Sequence, residues 1–343
     1  MKLVSNGLTA IICLAAGVSV AQDSSLTVAT WGGSYTQKQR QTIIDPFSKE
    51  SGLKVLDASY TGGLGQLRAM VEAGNTTWDI VELEAADVIN ACNEGLVVPL
   101  DTAKLKNTAD LRGGVTECGL GAVGWSIVIG YNSKATGDAP KSWADFWDTK
   151  KYPGKRAMRR SPQYALEAAL LADGVTPADL YKVLGTREGL DRAFAKLDTL
   201  KTNIQWWESG SQPAEWLSSG NVVMATSYVG RLVEAEIEKA PVKFGWTGAF
   251  YSLDYWAMIK GSEKTDAGYA FLNYATGAKP QAAFSEIQPV APVNVKAEEL
   301  LSPERRKIMP VGENLAQNVV FSDQFWVENA DALTERFNTW LSR

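Results

Sequence analysis

The sequence contains no histidine, only three cysteines and no Gly-x-x-x-x-Gly-Lys-Ser/Thr phosphate-binding loop. The absence of histidine excludes Ser-His-Asp and Cys-His catalytic sites, and every zinc site that needs an imidazole ligand. Carboxylates remain available for acid–base chemistry, but their abundance alone is no evidence for it. The formal charge of −5 argues against a nucleic-acid partner and is compatible with a cationic ligand. We therefore expect a protein that is not an enzyme and has no cofactor and no metal site.

The N-terminus has the pattern of a secretory signal peptide. Lys2 supplies the positive end, residues 8–20 are mostly apolar, and a small-x-small cleavage site ends at Ala21. The apolar run is too short for a comfortable membrane span, and no later stretch reaches that length. Cys13 follows two isoleucines, where a lipoprotein signal would have small residues. The pattern predicts a soluble periplasmic protein, cleaved after Ala21, whose formal charge moves to −6 because Lys2 is lost.

Two cysteines remain after the signal peptide is removed. Cys92 and Cys118 form an even pair in an oxidising compartment, and we predict that they form a disulfide. The alternative is two free thiols.

The stretch 26–35 organises the N-terminal part of the chain. Residues 26–31 favour a β-strand, Gly32 and Gly33 break it, and a helix over 36–48 and a strand over 53–56 follow. In such a βαβ unit, ligands bind at the carboxyl ends of the strands and beside helix N-termini. Trp31 and Tyr35 lie at that edge, where they either offer aromatic faces to a ligand or pack within the turn.

Strands alternate with helices along the rest of the chain, which predicts an α/β fold. Residues 125–132 favour a strand that crosses between lobes, and residues 251–259 favour the return crossing. A short separate strand is predicted over 244–246, and the last helix over 331–341. The chain contains twelve tryptophans, so aromatic ligand platforms are a realistic possibility.

These features resemble the periplasmic solute-binding proteins of ABC importers, specifically the spermidine/putrescine-binding family. The resemblance covers nearly all of the mature chain. It is carried by the order and spacing of short motifs, namely TWGGSY (30–35), WDIV (78–81), SWADFW (142–147), PGK (153–155), LDYWA (253–257) and PVAPVN (289–294).

The resemblance implies a type II-like periplasmic binding protein, in which two α/β lobes, each a mixed sheet flanked by helices, close by hinge motion on a ligand in the cleft between them. We place the signal peptide at 1–21, the first lobe at 22–128 plus 254–297, and the second lobe at 129–253 plus 298–343. Trp31 and Tyr35 match the family's aromatic positions, and Asp254 matches an acidic ligand position. The family also implies a monomer that docks transiently on a membrane permease.

One departure from the family bears on the ligand. Polyamine binders carry acidic residues just after the Pro-Gly strand, whereas this chain has Arg159 and Arg160 there. Facing the cleft, these arginines would repel a polyamine and hold a carboxylate; facing solvent, they would do neither. Glu84 could supply a replacement negative charge. The full set of predicted ligand-binding residues is Trp31, Tyr35, Glu84, Arg159, Ser161, Tyr164, Trp207, Glu208, Tyr228, Asp254 and Gln288.

Three functions follow from these residues. The first is the binding component of an ABC importer for a small amine, either a polyamine such as putrescine or spermidine, or a zwitterionic ω-amino acid such as 4-aminobutyrate. The second keeps the fold but takes a sugar, because tryptophans stack on pyranose rings. The third is an exported enzyme with paired carboxylates, for which the sequence offers no nucleophile motif.

Overall fold

The computed structural model describes residues 25–343, so the predicted signal peptide at 1–21 lies outside the described residues. Ten strands form one mixed sheet in the order β2-β1-β3-β8-β4-β7-β5-β6, in which β9 pairs with β4 and β10 pairs with β8. The strands are β1 Leu26–Thr30, β2 Val55–Ser59, β3 Ile80–Glu84, β4 Leu120–Asn132, β5 Arg156–Arg159, β6 Ile204–Trp207, β7 Met224–Tyr228, β8 Val242–Met258, β9 Ala291–Pro292 and β10 Val319–Val320.

Helices cover both faces of this sheet. The α-helices are α1 Gly33–Gln39, α2 Asp45–Ser51, α3 Gly65–Glu72, α4 Ala85–Asn93, α5 Ser133–Thr136, α6 Trp143–Trp147, α7 Ala165–Ala172, α8 Leu180–Leu184, α9 Arg187–Asp198, α10 Gln212–Ser219, α11 Val229–Ile237, α12 Thr265–Ala275, α13 Ala278–Ile287, α14 Val295–Glu298, α15 Pro303–Lys307, α16 Gly312–Ala316 and α17 Asp323–Leu341. A π-helical turn, Arg40–Ile44, joins α1 to α2, and 3-10 turns lie at Thr102–Lys104, Thr108–Asp110, Pro177–Asp179 and Lys201–Asn203. No helix in the part of the chain described, 25–343, is long and apolar enough to cross a membrane.

Two long antiparallel strands, β4 and β8, run through both halves of the molecule. β8 is one strand of 17 residues, so the prediction of separate strands at 244–246 and 251–259 is wrong. The ladder is irregular where β8 advances from Gly245 to Phe250 while β4 moves only from Ile129 to Ile127. Gly248 lies in this bulge at φ 73°, and a Cβ there would lie 3.0 Å from the indole nitrogen of Trp143. A bulge of this kind explains why the sequence pattern breaks within a continuous strand.

The buried apolar residues form separate cores on the two sides of these crossing strands. The first core contains β1, β3 and the C-terminal part of β8, together with residues up to Val123 on β4. The cores of the other half begin at Trp125 on β4 and include α7, α11 and α17. The predicted lobe boundaries after residues 128 and 253 fall within β4 and β8, and their exact positions stay a prediction.

Two helix starts show how serine caps set local structure. The Ser142 hydroxyl accepts a hydrogen bond from the backbone N–H of Asp145 (3.2 Å), as the sequence predicts for α6. Ser322 caps α17 in the same way through Phe325 N–H (3.2 Å). Because of this cap, α17 begins at Asp323, eight residues before the predicted start at 331.

The predicted disulfide is present between Cys92 and Cys118, whose Cα atoms lie 5.8 Å apart. It closes a loop with a sequence separation of 26 residues. Replacing both cysteines with serine is expected to lower the free energy of unfolding by about 3–4 kcal/mol, because the unfolded chain regains loop entropy. Chemical denaturation of wild type and variant measures this change. Titration of two free thiols in the unfolded, unreduced mature protein would contradict the pairing.

Candidate ligand-binding cleft

A cleft of about 470 Å³ opens at the ends of β1, β3 and β7 and along the crossing strands. Six of the predicted site residues line it, namely Trp31, Tyr35, Glu84, Tyr228, Asp254 and Gln288. The remaining wall is formed by Gly32, Gly33, Ser34, Val123, Trp125, Ser126, Val229, Gly230, Arg231, Glu234, Pro289 and Val290.

The turn after β1 brings both predicted aromatic residues to this cleft. Gly32 has φ 75°, and a Cβ there would lie 3.1 Å from the Ser59 hydroxyl, so the sharp turn favours glycine. The Gly32 N–H donates to the hydroxyl of Thr36 (2.9 Å), which starts helix α1. Trp31 therefore lies just before the turn and Tyr35 on the first turn of the helix.

Asp254 is a buried carboxylate held by two indole rings. Its Oδ2 accepts from Trp31 Nε1 (3.0 Å) and its Oδ1 from Trp125 Nε1 (2.8 Å). Within residues 25–343, no lysine or arginine forms an ion pair with it. Burial, together with Glu82 and Glu84, raises the pKa of Asp254, whereas the two indole donors lower it. Asp254 is thus a buried carboxyl whose two oxygens accept from fixed indole donors and which has no countercation among residues 25–343.

Glu84 stands directly beside Asp254. The two residues are paired across the antiparallel strands β3 and β8, so their side chains project from the same face. Burial raises the pKa of Glu84, Arg159 lowers it, and Asp87 raises it. Two carboxylates in this arrangement repel each other unless a cation lies between them or one carries a proton.

Sequence reasoning missed Glu82, which lies below this pair. Its side chain is fully buried, and it accepts a hydrogen bond from the Tyr35 hydroxyl (2.6 Å) and from Gln39 Nε2 (2.8 Å). Burial raises its pKa to about 7, against the effect of its hydrogen bonds. The sequence held a usable signal: Glu82 and Glu84 are two residues apart in an otherwise apolar strand, so both face the same side.

Arg159 lies outside the cleft lining, but its positive charge acts on the lining residues Glu84 and Tyr228. It ends β5, and its guanidinium carbon lies 6.0 Å from the centre of the Trp207 ring. Although burial alone would lower it, the pKa of Arg159 is raised by Tyr228, Tyr164 and Glu84, so these groups lie within its electrostatic reach. Across residues 25–343, no hydrogen bond or ion pair to the Arg159 side chain is formed, which leaves its donors available for a ligand.

Four more predicted residues also lie outside the cleft lining, namely Ser161, Tyr164, Trp207 and Glu208. The neighbouring Arg160 points the opposite way and pairs with Glu208 (2.9 Å), with side chains 54% and 68% exposed. The indole N–H of Trp207 donates to Thr226 (3.2 Å) in the core, so its ring edge is occupied.

Tyr164 and Ser161 support the loop after β5. Tyr164 is buried at φ 66° and packs on Phe321 with ring centres 4.5 Å apart. The Ser161 hydroxyl accepts from the backbone N–H of Gln163 (3.2 Å), which shapes the turn that precedes α7.

Lys38 connects the two sides of the cleft mouth. Its Nζ donates to Gln288 Oε1 (2.8 Å) and lies 3.8 Å from Glu234 on α11. Lys38→Met is expected to accelerate ligand dissociation about twofold to fivefold, because a partly exposed ion pair contributes up to about 1 kcal/mol. Stopped-flow tryptophan fluorescence at low and high salt measures the rate. Lys49→Met, on the exposed face of α2, is the control, and an unchanged rate in Lys38→Met would contradict a bridging role.

Comparison with known proteins agrees with this geometry. Residues 42–309 match the family model of bacterial extracellular solute-binding proteins. The chain is 41% identical to the gamma-aminobutyric acid-binding protein of Pseudomonas aeruginosa, over 96% of this chain and 94% of that protein. It is 23% identical to the spermidine/putrescine-binding periplasmic protein of Escherichia coli K12, over 89% and 88% of the two chains. The structure of the GABA receptor Atu4243 superposes with a TM-score of 0.83 at 34% identity, covering 92% of this chain and 97% of that one.

The family match spans most of the chain, and the relatives are matched along nearly their whole length. The resemblance and the mixed α/β binding-protein fold predicted from the sequence are therefore confirmed. The chain belongs to the bacterial extracellular solute-binding proteins.

Proposed function

We propose that this protein binds a small ω-amino acid of the 4-aminobutyrate type and presents it to the membrane permease of an ABC importer. The observation that carries the proposal is a pair of opposite charges without ion-pair partners, one in the cleft lining and one whose charge acts on the lining residues Glu84 and Tyr228. Asp254 has no cation, and Arg159 has no carboxylate, among the described residues 25–343. A zwitterion satisfies both.

The ammonium group would bind beside Asp254. Trp31 and Tyr35 line the cleft there, and each aromatic face in contact with the cation contributes about 0.5–2 kcal/mol. The adjacent Glu84 adds negative potential, so the ammonium removes the repulsion between the two carboxylates.

The carboxylate would bind at Arg159. A guanidinium can hold both oxygens of a carboxylate through parallel hydrogen bonds. Burial raises the pKa of Tyr228 to about 12, so its hydroxyl stays protonated and can donate to the same carboxylate. The charges of Arg159, Glu84 and Asp254 all act on Tyr228, which supports a role for this hydroxyl between the two ends of the proposed ligand.

Release and recapture would use the crossing strands. Rotation about β4 and β8 opens the cleft, and closure removes water from both charged ends. The protein acts as a periplasmic monomer after cleavage at Ala21, and the ligand leaves chemically unchanged. The permease binds the closed form transiently.

A matched ligand series tests the proposal by thermal shift and calorimetry. 4-Aminobutyrate carries both charges, butylamine only the ammonium, and butyrate only the carboxylate. We expect 4-aminobutyrate at 100 times its dissociation constant to stabilise the protein by about 2.7 kcal/mol, and the two monofunctional analogues to bind at least about 100-fold more weakly.

Putrescine is the second candidate, because three carboxyl groups, those of Glu82, Glu84 and Asp254, lie on one face of the sheet. Arg159 is the one guanidinium that the proposal sets against them. If putrescine binds more tightly than 4-aminobutyrate, Arg159 is not a carboxylate site. A sugar would leave the charge of Asp254 unpaired, and tight binding of glucose with no response to either amine would overturn the proposal.

A further inference from the structure

We infer that Glu82 is a positioning residue that holds a proton below the ammonium site and gives it up when a cationic ligand binds. This inference rests on the proposed binding of an ammonium group at Asp254. Glu82 touches no cleft surface and acts through Tyr35 and Asp254.

The hydrogen-bond contacts around Glu82 require a proton on its carboxyl group. Thr30 Oγ1 lies 2.5 Å from Gln39 Oε1 and 3.0 Å from Glu82 Oε2, and Gln39 Nε2 lies 2.8 Å from the same Oε2. The Thr30 hydroxyl has one hydrogen and can donate to only one of its two neighbours. When it donates to Gln39, the contact between Thr30 and Glu82 needs a hydrogen from the Glu82 carboxyl.

Reversing the Gln39 amide does not remove the requirement. The amide oxygen would then face Glu82 Oε2 at 2.8 Å, and again only a hydrogen on Glu82 makes that contact favourable. Both arrangements therefore assign a neutral carboxyl to Glu82. Asp254 differs, because both of its oxygens accept from indole N–H groups, which favours the ionised form.

The surroundings of Glu82 contain acids but no base in ion-pair contact. Tyr35 on α1, Asp254 on β8 and Glu84 on β3 are the titratable groups around it. In residues 25–343 no lysine or arginine pairs with Glu82, and Lys38 on α1 is directed to Gln288 and Glu234. An ammonium beside Asp254 is thus the first positive charge that Glu82 meets, and it lowers the pKa of Glu82.

Proton linkage gives the sign of the effect. Glu82 has a pKa of about 7, so the ligand-free protein holds its proton at lower pH. Binding of the ammonium at that pH releases the Glu82 proton to bulk solvent. Affinity for an ammonium ligand therefore rises with pH from about 5 to 7 and levels off above about 7. If the ammonium lowers the pKa of Glu82 by about one unit, binding should release about half a proton near pH 6.5 and slightly less at pH 6 and at pH 7.

Calorimetry with 4-aminobutyrate, in buffers of different ionisation enthalpy between pH 5 and 8, measures the protons released. In Glu82→Gln the release should vanish. Binding should be about tenfold weaker than wild type at pH 8, and the two affinities should converge at pH 5. Glu167→Gln is the matched control, because Glu167 is equally buried, has a pKa of about 7 and bonds Trp326 (2.6 Å) in the other half of the molecule.

The possible failures are distinguishable. Unchanged proton release in Glu82→Gln, or its loss in Glu84→Gln instead, overturns the role of Glu82. If 4-aminobutyrate does not bind but putrescine does, the proposed ligand is wrong and the same measurement proceeds with putrescine. If neither binds, infrared spectra of the ligand-free protein at pH 6 decide: a protonated-carboxyl band lost in Glu82→Gln supports the inference, and identical spectra overturn it.

Discussion

Replacing Asp254 with asparagine is expected to weaken binding of 4-aminobutyrate by at least about 100-fold, because an ammonium desolvated without its counterion costs about 3 kcal/mol or more. Asparagine keeps the shape of the side chain, and its oxygen can still accept from one of the two indoles. Isothermal titration calorimetry measures the loss, and circular dichroism verifies that the variant is folded.

The comparison for this variant is Asp173→Asn. Asp173 is bound to Arg192 (2.5 Å) beside α9 and lines no part of the cleft. The Asp173→Asn substitution removes the same charge from the protein without touching the proposed site. The affinity of this variant for 4-aminobutyrate should therefore stay within about twofold of wild type. Wild-type affinity in Asp254→Asn would show that the ammonium binds elsewhere.

Replacing Arg159 with glutamine is expected to change which ligand binds best. The variant should lose about 100-fold in affinity for 4-aminobutyrate, because charge-assisted hydrogen bonds contribute about 1.5–3 kcal/mol each. Butylamine should be nearly unaffected. Putrescine should improve, because Glu84 and Asp254 then face the cleft without a competing positive charge. Competition calorimetry with the three ligands measures the reversal.

The adjacent residue provides the control. Arg160→Gln removes the same charge from the same strand end, but Arg160 is paired with Glu208 on the exposed side. Its ligand preference should match wild type. Equal losses in Arg159→Gln and Arg160→Gln would indicate a general electrostatic effect and not a carboxylate site.

Several features of the site were open to sequence reasoning because they depend on neighbours in the chain. The Gly-Gly turn after β1 places Trp31 and Tyr35 at a strand end, and β-strand alternation would have placed Glu82 and Glu84 on one face. The single strand β8 was missed, because its bulge interrupts the apolar pattern at the positive φ of Gly248.

Other features depend on contacts between distant segments. Two tryptophans from β1 and β4, far apart in the chain, meet at the carboxylate of Asp254. The sequence suggested neither Trp125 nor the hydrogen-bond triangle of Thr30, Gln39 and Glu82. Such contacts are fixed by strand order and register in the sheet, which local patterns do not encode.

The sequence by itself determined the class of protein: the absence of histidine removed whole groups of enzymes, strand–helix alternation indicated α/β lobes, and the motif order indicated the family. Only the tertiary structure decided the direction of the two arginines. Arg159 ends β5 and Arg160 follows it, and both carry the same charge, so composition cannot separate them. At the end of β5, Arg159 is half-buried beside the Trp207 ring, whereas Arg160 is exposed and pairs with Glu208, as expected when successive side chains of an extended chain project to opposite sides.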